Sequence, residues 1–245
     1  MSLLNFKVSN FRNFSHIDVD LDKSCNLFYG VNGSGKTSFL EAIYYLDLGR
    51  SFRGRNFFKI VKYNEKKIAI FGELENNDNL ISIGMENDNS SKVVKIGGKI
   101  SSAAEVAKLL PIQLLTHNGY KILEYSRFRR KIIDWGLFHV EPNFLFLWRK
   151  YSRLLKQRNA ALSDAKMFKN ISVWNAELAE SGIAIHKMRE QYTEKLIPMM
   201  QKVLAEFLSG VDIEIKYHPG WSINSDLCYI LSSGVLRDKI GRAHV

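Results

Sequence analysis

Short runs of alternating apolar and polar residues dominate the first part of the chain. Ile17, Val19 and Leu21 alternate with histidine and aspartate, which is the period of a strand with one buried face. Similar runs, bounded by turn-forming residues, predict further strands over 67–75, 80–86 and 93–96. We also predict a short strand at 27–29, because an apolar run there ends at a glycine.

One amphipathic helix interrupts these strands. Its apolar positions recur at helical spacing, and they are Phe39, Leu40, Ile43 and Leu46. Gly49 follows them as a C-terminal stop. Residues 1–100 are therefore predicted to form a mostly β lobe with one early helix.

The next stretch, residues 101–210, has helical periodicity. Ser102 and Glu105 have the spacing of a capping box, in which each side chain accepts a hydrogen bond from the other residue's backbone N–H. The short helix that they begin is predicted to end near Pro111, since proline interrupts helices.

Two longer helices follow. One is predicted to begin at Pro142, because proline is favoured in the first helical turn. The other spans 174–192, where apolar residues recur at spacings of three and four. A polar turn at 166–170 would join them into an antiparallel helical arm. Residues 211–239 would then return toward the first lobe, beginning with a strand at 211–217.

The composition excludes several classes of protein. Hydrophobic residues make up 46% of the chain and charged residues 24%, as in ordinary globular proteins. No run approaches the roughly 20 apolar residues that span a bilayer, and the N-terminus lacks signal-peptide features. We therefore predict a cytoplasmic protein without membrane contact. The two cysteines, Cys25 and Cys228, are too far apart in sequence to indicate a disulfide framework or metal site.

The charge balance indicates the kind of partner. Thirty-five Lys and Arg against 25 Asp and Glu leave a formal net charge of +10. Such an excess favours a polyanion such as nucleic acid, because neutralising phosphates releases counterions. A basic protein with solvated charges is an equally good interpretation of charge alone.

Residues 30–37 match the P-loop pattern G-x-x-x-x-G-K-[ST] completely. Glycines let successive backbone N–H groups point at phosphate oxygens, and the following helix directs its positive end to the same place. Lys36 would reach the β- and γ-phosphates, and Thr37 would bind Mg²⁺. The predicted ATP-binding residues of the loop are Gly30, Val31, Asn32, Gly33, Ser34, Gly35, Lys36, Thr37 and Ser38. A P-loop alone does not choose among kinases, GTPases and ATPases.

The neighbouring residues resemble a known class. Segments 11–14, 32–38 and 40–43 are similar to the head domains of the SMC/Rad50/RecF class of ABC-type ATPases. Within that class the chain resembles the RecF family, through motifs at 49–53, 128–130, 134–142, 155–159, 220–221 and 237–238. At residues 116–118 and 132–133 the sequence differs from the residues that are usual in the family. These differences affect local detail and not the resemblance as a whole.

The resemblance implies a fold and a mechanism. The fold would be α/β: a P-loop ABC-type ATPase head lobe with a β-rich N-terminal half and an inserted helical arm. Heads of this family bind ATP, pair face to face as homodimers and clamp DNA, and hydrolysis reopens the clamp. They work with RecR and RecO to load recombinase on single-stranded or gapped DNA in recombinational repair and the SOS response.

The resemblance also implies roles for residues outside the P-loop. Arg12 and Asn13 would approach the nucleotide from the side, and Gln113 would sense Mg²⁺ and the γ-phosphate. Two basic clusters are candidates for DNA or partner contact: Arg127, Arg129, Arg130 and Lys131, and Arg50, Arg53 and Arg55. Solvated charges, and a plain surface glutamine at position 113, are the open alternatives.

The hydrolytic half of such a head is not recognisable in the chain. A signature loop, a late strand ending in paired acidic residues and a switch histidine are all expected beyond Asp238. Residues 240–245 match the translation of a common sequencing adapter and are predicted to be a non-native tail. We therefore expect a sheet left incomplete by truncation and no catalytic residue in this fragment. A full-length version is expected to be a weak DNA-dependent ATPase.

Two other classes of function remain open at this point. One is a P-loop kinase or GTPase that acts on a small molecule. The other is a non-catalytic DNA-binding or dimerisation module. DNA-dependent nucleotide turnover by a full-length version would separate them.

Overall fold

A computed structural model describes residues 1–77, 79–116, 125–163, 171–208, 210–223, 225–235 and 238. The chain forms two compact units, Met1–His117 and Asn118–Val245. The predicted turn at 166–170 and the predicted tail at 240–245 lie outside the described residues. The predicted limits at residues 100, 210 and 239 stay predictions.

The first unit contains a six-stranded antiparallel sheet in the order β2-β1-β3-β4-β5-β6. The strands are β1 Ser2–Phe11, β2 Phe14–Asp20, β3 Lys67–Asn76, β4 Asn79–Asp88, β5 Lys92–Ile96 and β6 Lys99–Ile100. The strands predicted from alternation at 17–21, 67–75, 80–86 and 93–96 are confirmed. Sequence patterning missed β1 and β6.

Helix α1, Lys36–Leu48, packs on one face of this sheet. The Phe6 ring of β1 meets the Phe39 ring of α1 edge-on, with centroids 5.3 Å apart. Phe6 lies opposite Gly72 of β3, where a Cβ would come within 3.0 Å of the Leu46 side chain. The helix and the two strands therefore share one apolar core. The helix begins at Lys36, directly after the last glycine of the P-loop.

The buried face of α1 differs in part from the predicted one. Phe39 and Leu46 are buried as predicted, but Leu40 is 47% exposed and the neighbouring Glu41 is fully buried. The helix is rotated so that the Glu41 carboxylate points into the interior. Ion pairs with other residues of the unit make this burial possible.

The strand predicted at 27–29 is wrong. These residues are irregular, and Leu27 and Tyr29 are 83% and 88% exposed. Only Phe28 packs inward, with its ring 4.6 Å from the Phe39 ring. A strand needs a partner to satisfy its backbone groups, and within the described residues no strand pairs with this segment.

A buried carboxyl group near the end of α1 makes the unit sensitive to pH. Asp47 is 2% exposed, and within the described residues its Oδ1 has no hydrogen-bond partner. Burial raises the pKa of Asp47 from an ordinary 3.8 to about 7. The folded state therefore favours the neutral acid, and ionisation of this group costs stability.

Asp47→Asn should remove this pH dependence. The stabilising effect of protonation is complete below pH 3.8 and is lost as the pH rises to about 7. From pH 5 to pH 8, the wild type should lose roughly 2–3 kcal/mol of unfolding free energy relative to the variant. Urea unfolding at both pH values measures this difference. Equal changes in the two proteins would contradict the prediction.

Helix α2, Ala103–Leu109, follows β6 in the first unit. The Ser102 hydroxyl accepts from the Glu105 backbone N–H at 3.3 Å, and the Glu105 carboxylate accepts from the Ser102 N–H at 2.8 Å. The predicted capping box is therefore confirmed. Hydrogen bonds from Ser101 and Ser102 lower the pKa of Glu105 to about 2.

Helices make up most of the described part of the second unit. Its helices are α3 Ser126–Val140, α4 Phe144–Ser163, α5 Ile171–Phe207 and α6 Leu227–Ser233. Helices α4 and α5 pack against each other, which confirms the two long helices predicted from periodicity. Leu178, Ser181 and Ile185 lie on the buried face of α5. No described helix combines the length and apolarity that crossing a bilayer requires.

Two contacts fix α3 against α5. Arg189 donates two hydrogen bonds to the Asp134 carboxylate, at 2.7 and 2.9 Å. A Cβ on Gly136 would lie 2.1 Å from the Tyr192 hydroxyl, so only glycine permits this approach of the two helices. The Asp-Trp-Gly motif at 134–136 thus has a packing role in this unit.

A buried arginine joins three helices. Arg158 of α4 is 2% exposed and donates to the Asn175 side chain on α5 at 2.7 Å. It also donates to the Leu231 carbonyl on α6 at 3.0 Å and to the Asp238 carboxylate at 2.8 Å. The three acceptors lie 17, 73 and 80 positions from Arg158 in sequence, so this side chain stabilises the tertiary arrangement of the unit.

The strand predicted at 211–217 is also wrong. The segment has no ladder partner among the described residues, although its side chains alternate between half-buried and exposed. It is tied to α5 instead: the Tyr217 hydroxyl lies 3.1 Å from His186 Nδ1, and the two rings stack. The Trp221 ring meets His186 edge-on. Alternation here reflects packing of an extended segment on a helix.

Candidate nucleotide-binding site

The P-loop of the first unit ends where α1 begins. Gly35 precedes the helix with a φ of +103°, and its carbonyl accepts the Phe39 N–H at 2.8 Å. No side chain caps this helix start, so its first N–H groups are available to a ligand. Exposed N–H groups and the helix dipole together favour an anion at this point.

Glycine is required at two positions of the loop. Gly33 has a φ of +83°, which other residues adopt only with strain. A Cβ on Gly35 would lie 2.6 Å from the Phe14 ring, in addition to its left-handed φ. The sequence pattern therefore corresponds to a backbone that glycine alone permits.

The Lys36 side chain turns back over the loop. Its ammonium donates to the Gly30 carbonyl at 2.8 Å and to the Val31 carbonyl at 2.9 Å. A lysine ammonium has three donors, so this position leaves capacity for a phosphate oxygen. The Thr37 hydroxyl is on an exposed residue beside it, where it could ligate a nucleotide-bound Mg²⁺.

A cleft of about 370 Å³ adjoins the loop. The P-loop contributes Ser34, Gly35 and Lys36 to its wall, and the rest is largely apolar, from β2 and residues 27–29. The loop backbone, the lysine and the hydroxyl fit a Mg²⁺-bound nucleoside triphosphate. Within the described residues no group of three or more His, Cys, Asp or Glu could hold a metal ion.

The β1–β2 turn brings one predicted residue to the loop and holds the other away from it. The Asn13 side-chain nitrogen is 3.0 Å from the Cβ position of Gly35. Arg12 instead donates to Glu41 through Nε at 3.0 Å and Nη2 at 2.5 Å. In this arrangement Arg12 binds a carboxylate, and the roles predicted for both residues toward the nucleotide stay predictions.

Glu41 is the residue near the site that sequence reasoning missed. Its fully buried carboxylate accepts hydrogen bonds from Arg12 and from the Ser51 hydroxyl, and Arg53 lies 3.6 Å away as an ion pair. The available signal was a glutamate between Leu40 and Ala42, inside an apolar helix face. A buried charge requires partners, and two of these come from the predicted basic residues.

The remaining predicted residues are exposed. Gln113 lies on the segment after α2, and among the described contacts none joins it to the P-loop. Arg50 and Arg55 are exposed near α1, and Arg53 is half exposed. Their roles in Mg²⁺ sensing and in DNA or partner contact stay predictions.

The basic cluster on α3 belongs to the second unit. Its members are all exposed, and they are Arg127, Arg129, Arg130 and Lys131. Arg127 lies 5.0 Å from the centre of the Phe128 ring and 5.4 Å from that of Tyr125. Lys131 lies 5.4 Å from the Phe128 ring on the same helix. Cations and aromatic rings thus alternate on one exposed helix surface.

Comparison with known proteins identifies the family. The sequence profile described as "RecF/RecN/SMC N terminal domain" matches residues 2–235. The DNA replication and repair protein RecF of Haemophilus influenzae is 37% identical over 242 residues, which is 98% of this chain and 67% of that protein. RecF of Psychromonas ingrahamii is 38% identical over 243 residues, covering 98% of this chain and 68% of its own.

Solved structures agree with this assignment. A structure of the recombination mediator protein RecF–ATPrS in the RecFOR pathway matches with a TM-score of 0.83 and 28% identity. The match covers 98% of this chain and 69% of the other. The corresponding RecF–ATP structure matches with a TM-score of 0.80 and 27% identity. The predicted head-lobe fold is confirmed, and the chain belongs to the RecF family of DNA replication and repair proteins.

Proposed function

We propose that this chain binds ATP with Mg²⁺ at residues 30–37 and serves as the nucleotide-binding part of a DNA repair clamp. The observation that carries the proposal is the geometry of the loop. Its glycines have positive φ, no side chain caps the start of α1 that follows, and Lys36 folds back over the loop. Matched RecF structures are described with ATPrS and with ATP. Asn13 and the backbone of the loop would surround the phosphates, and Thr37 would complete the Mg²⁺ shell.

The partner is DNA, single-stranded or gapped. The net charge of +10 attracts a polyanion, and two exposed basic clusters, on α3 and near residues 50–55, would contact phosphates. The rings among the α3 cations add stacking surface, which suits unpaired bases. This chemistry fits recognition of a gap, where duplex and single strand meet.

The proposal includes assembly and location. Two heads would pair on binding ATP, and the complex would work in the cytoplasm with RecR and RecO to load recombinase in recombinational repair. The matched structures are described within the RecFOR pathway, which supports these partners. A small-molecule kinase or GTPase would need a mainly parallel sheet, and the described sheet is antiparallel. A non-catalytic DNA-binding module remains the alternative, which Lys36-dependent turnover by a longer version would exclude.

The DNA proposal is tested by removing charge from α3. Arg127, Arg130 and Lys131 changed together to glutamine should lower the affinity for gapped DNA by about tenfold or more at moderate salt. In a plot of log binding constant against log salt concentration, the negative slope should become shallower by roughly 2. Three phosphate contacts are lost, and each contributes about 0.7–0.9 to the slope. Fluorescence anisotropy over a salt series measures both quantities.

A matched control removes the same charge elsewhere. Lys187, Lys195 and Lys202 are exposed on α5 and can be changed to glutamine together. Both variants lose three positive charges, so a general effect of net charge would be equal in the two. If the α3 variant and the α5 variant bind DNA equally well, the α3 surface is not a DNA site.

A further inference from the structure

The carboxylate of Glu41 binds donors from two separate parts of the first unit, the β1–β2 turn and segment 50–55. Glu41 lies on α1 and is fully buried. Arg12 of the β1–β2 turn donates to both of its oxygens, at 3.0 and 2.5 Å. The Ser51 hydroxyl donates to the same group, and Arg53 Nη1 lies 3.6 Å away. One side chain therefore joins the turn, the P-loop helix and the basic segment 50–55.

The charges in this cluster do not balance. One carboxylate faces two guanidinium groups, which leaves a net charge of +1. Arg12 is largely buried, with 19% of its side chain exposed, whereas Arg53 is 49% exposed. A partly buried excess cation attracts an anion, because the low local dielectric strengthens its field. An added anion nearby would compete with Glu41 for Arg12.

The same turn is in contact with the P-loop. Arg12 has a φ of +55°, an unfavourable conformation for a residue with a side chain, and its bonds to Glu41 and to the Lys59 carbonyl hold it there. The next two residues, Asn13 and Phe14, lie against Gly35. The position of the turn at the loop thus depends on the Glu41 carboxylate.

The other end of the cluster orders the basic segment. Ser51 is buried, and its oxygen accepts the Arg53 backbone N–H at 2.8 Å while its hydroxyl donates to Glu41. Arg50 and Arg55 flank this anchor and are exposed. The conformation of 50–55 is therefore tied to the same carboxylate that positions the turn.

We propose that Glu41 is a positioning residue that couples the P-loop to the basic segment 50–55. The proposal rests on the proposed function, since the anion that acts on Arg12 is the triphosphate of ATP. When the triphosphate attracts Arg12, the ion pair between Arg12 and Glu41 weakens, and Glu41 binds Arg53 more closely. Nucleotide binding thereby orders segment 50–55, which is a candidate surface for DNA or a partner. Coupling requires that ATP at the P-loop and DNA or a partner at segment 50–55 act on one shared residue, and Glu41 is that residue.

The test compares trypsin cleavage after Arg50, Arg53 and Arg55 with and without saturating Mg-ATP, in the full 245-residue chain. In the wild type, Mg-ATP should slow this cleavage about threefold or more. In Glu41→Gln, cleavage without nucleotide should rise by about threefold or more, and Mg-ATP should no longer change it. The affinity of this variant for ATP should fall about tenfold.

Two further variants make the test decisive. Glu86→Gln removes an exposed carboxylate from the same unit and should behave as the wild type does. Ser51→Ala removes two hydrogen bonds, the one to Glu41 and the one from the Arg53 backbone N–H, and leaves both ion pairs. It should therefore fold even where Glu41→Gln does not, and its cleavage response to Mg-ATP should be at most about half that of the wild type. A wild-type response in Ser51→Ala, or in folded Glu41→Gln, overturns the proposal. If the wild type itself does not bind ATP, that result contradicts the proposed function, and the coupling role of Glu41 falls with it.

Discussion

Replacing Lys36 with alanine should lower the affinity of this chain for Mg-ATP by about 100-fold. The ammonium now donates to the Gly30 and Val31 carbonyls, directly over the loop where phosphates would lie. A charge-assisted hydrogen bond to a phosphate is worth about 1.5–3 kcal/mol, and one such bond near the upper end of this range corresponds to roughly a 100-fold loss of affinity. Isothermal titration calorimetry measures it directly.

The control is Lys99→Ala, which removes an exposed lysine from β6 of the same unit. Its affinity for ATP should equal that of the wild type, since β6 lies at the far end of the sheet order from β2. Thr37→Ala offers a finer comparison, because it should weaken mainly the dependence of binding on Mg²⁺. An unchanged affinity in Lys36→Ala would rule out a nucleotide site at this loop.

Arg158→Ala should destabilise the second unit by about 3–5 kcal/mol, because it removes three hydrogen bonds of a buried guanidinium group and the ion pair with the partly exposed Asp238. The substitution leaves the Asn175 side chain, the Leu231 carbonyl and the Asp238 carboxylate without their donor. It also creates a cavity, since Arg158 is among the largest fully buried side chains. The midpoint of thermal unfolding should fall by roughly 10 °C, as measured by circular dichroism.

Arg153→Ala is the matched control for this prediction. Arg153 lies on the same helix and is exposed, so its removal should change stability by less than about 0.5 kcal/mol. Arg158→Lys should recover only part of the loss, because an ammonium cannot reach three acceptors in different directions. Equal stability of the Arg158 and Arg153 alanine variants would show that the buried network contributes nothing.

The position and backbone shape of the P-loop could be predicted from sequence because they depend on neighbouring residues. Gly33, Gly35 and Lys36 lie within four positions of one another, and glycines at these positions permit the backbone that the structure contains. The helix that follows begins at Lys36, as its apolar spacing predicted. Local spacing is sufficient here, since the proposed phosphate-binding surface consists of one continuous segment.

Strand prediction shows where local patterning fails. The alternation at 67–75 corresponds to a real strand, whereas the apolar run at 27–29 and the alternation at 211–217 do not. All three segments have suitable residues. A strand also needs a neighbour that satisfies its backbone groups, and β3 has β1 and β4 beside it. Whether such a neighbour exists is a property of the tertiary structure.

The sequence by itself determined the glycine-rich loop, the two long helices and the family, because each follows from short-range spacing or from ordered motifs. Tertiary structure alone decided what Arg12 and Arg158 bind. The acceptors of Arg12 lie at Lys59 and Glu41, and one acceptor of Arg158 lies at Asp238, 80 positions away. A basic residue carries the same charge whether it faces solvent, a phosphate or a buried carboxylate. Only the packing that brings distant residues together determines which of these it meets.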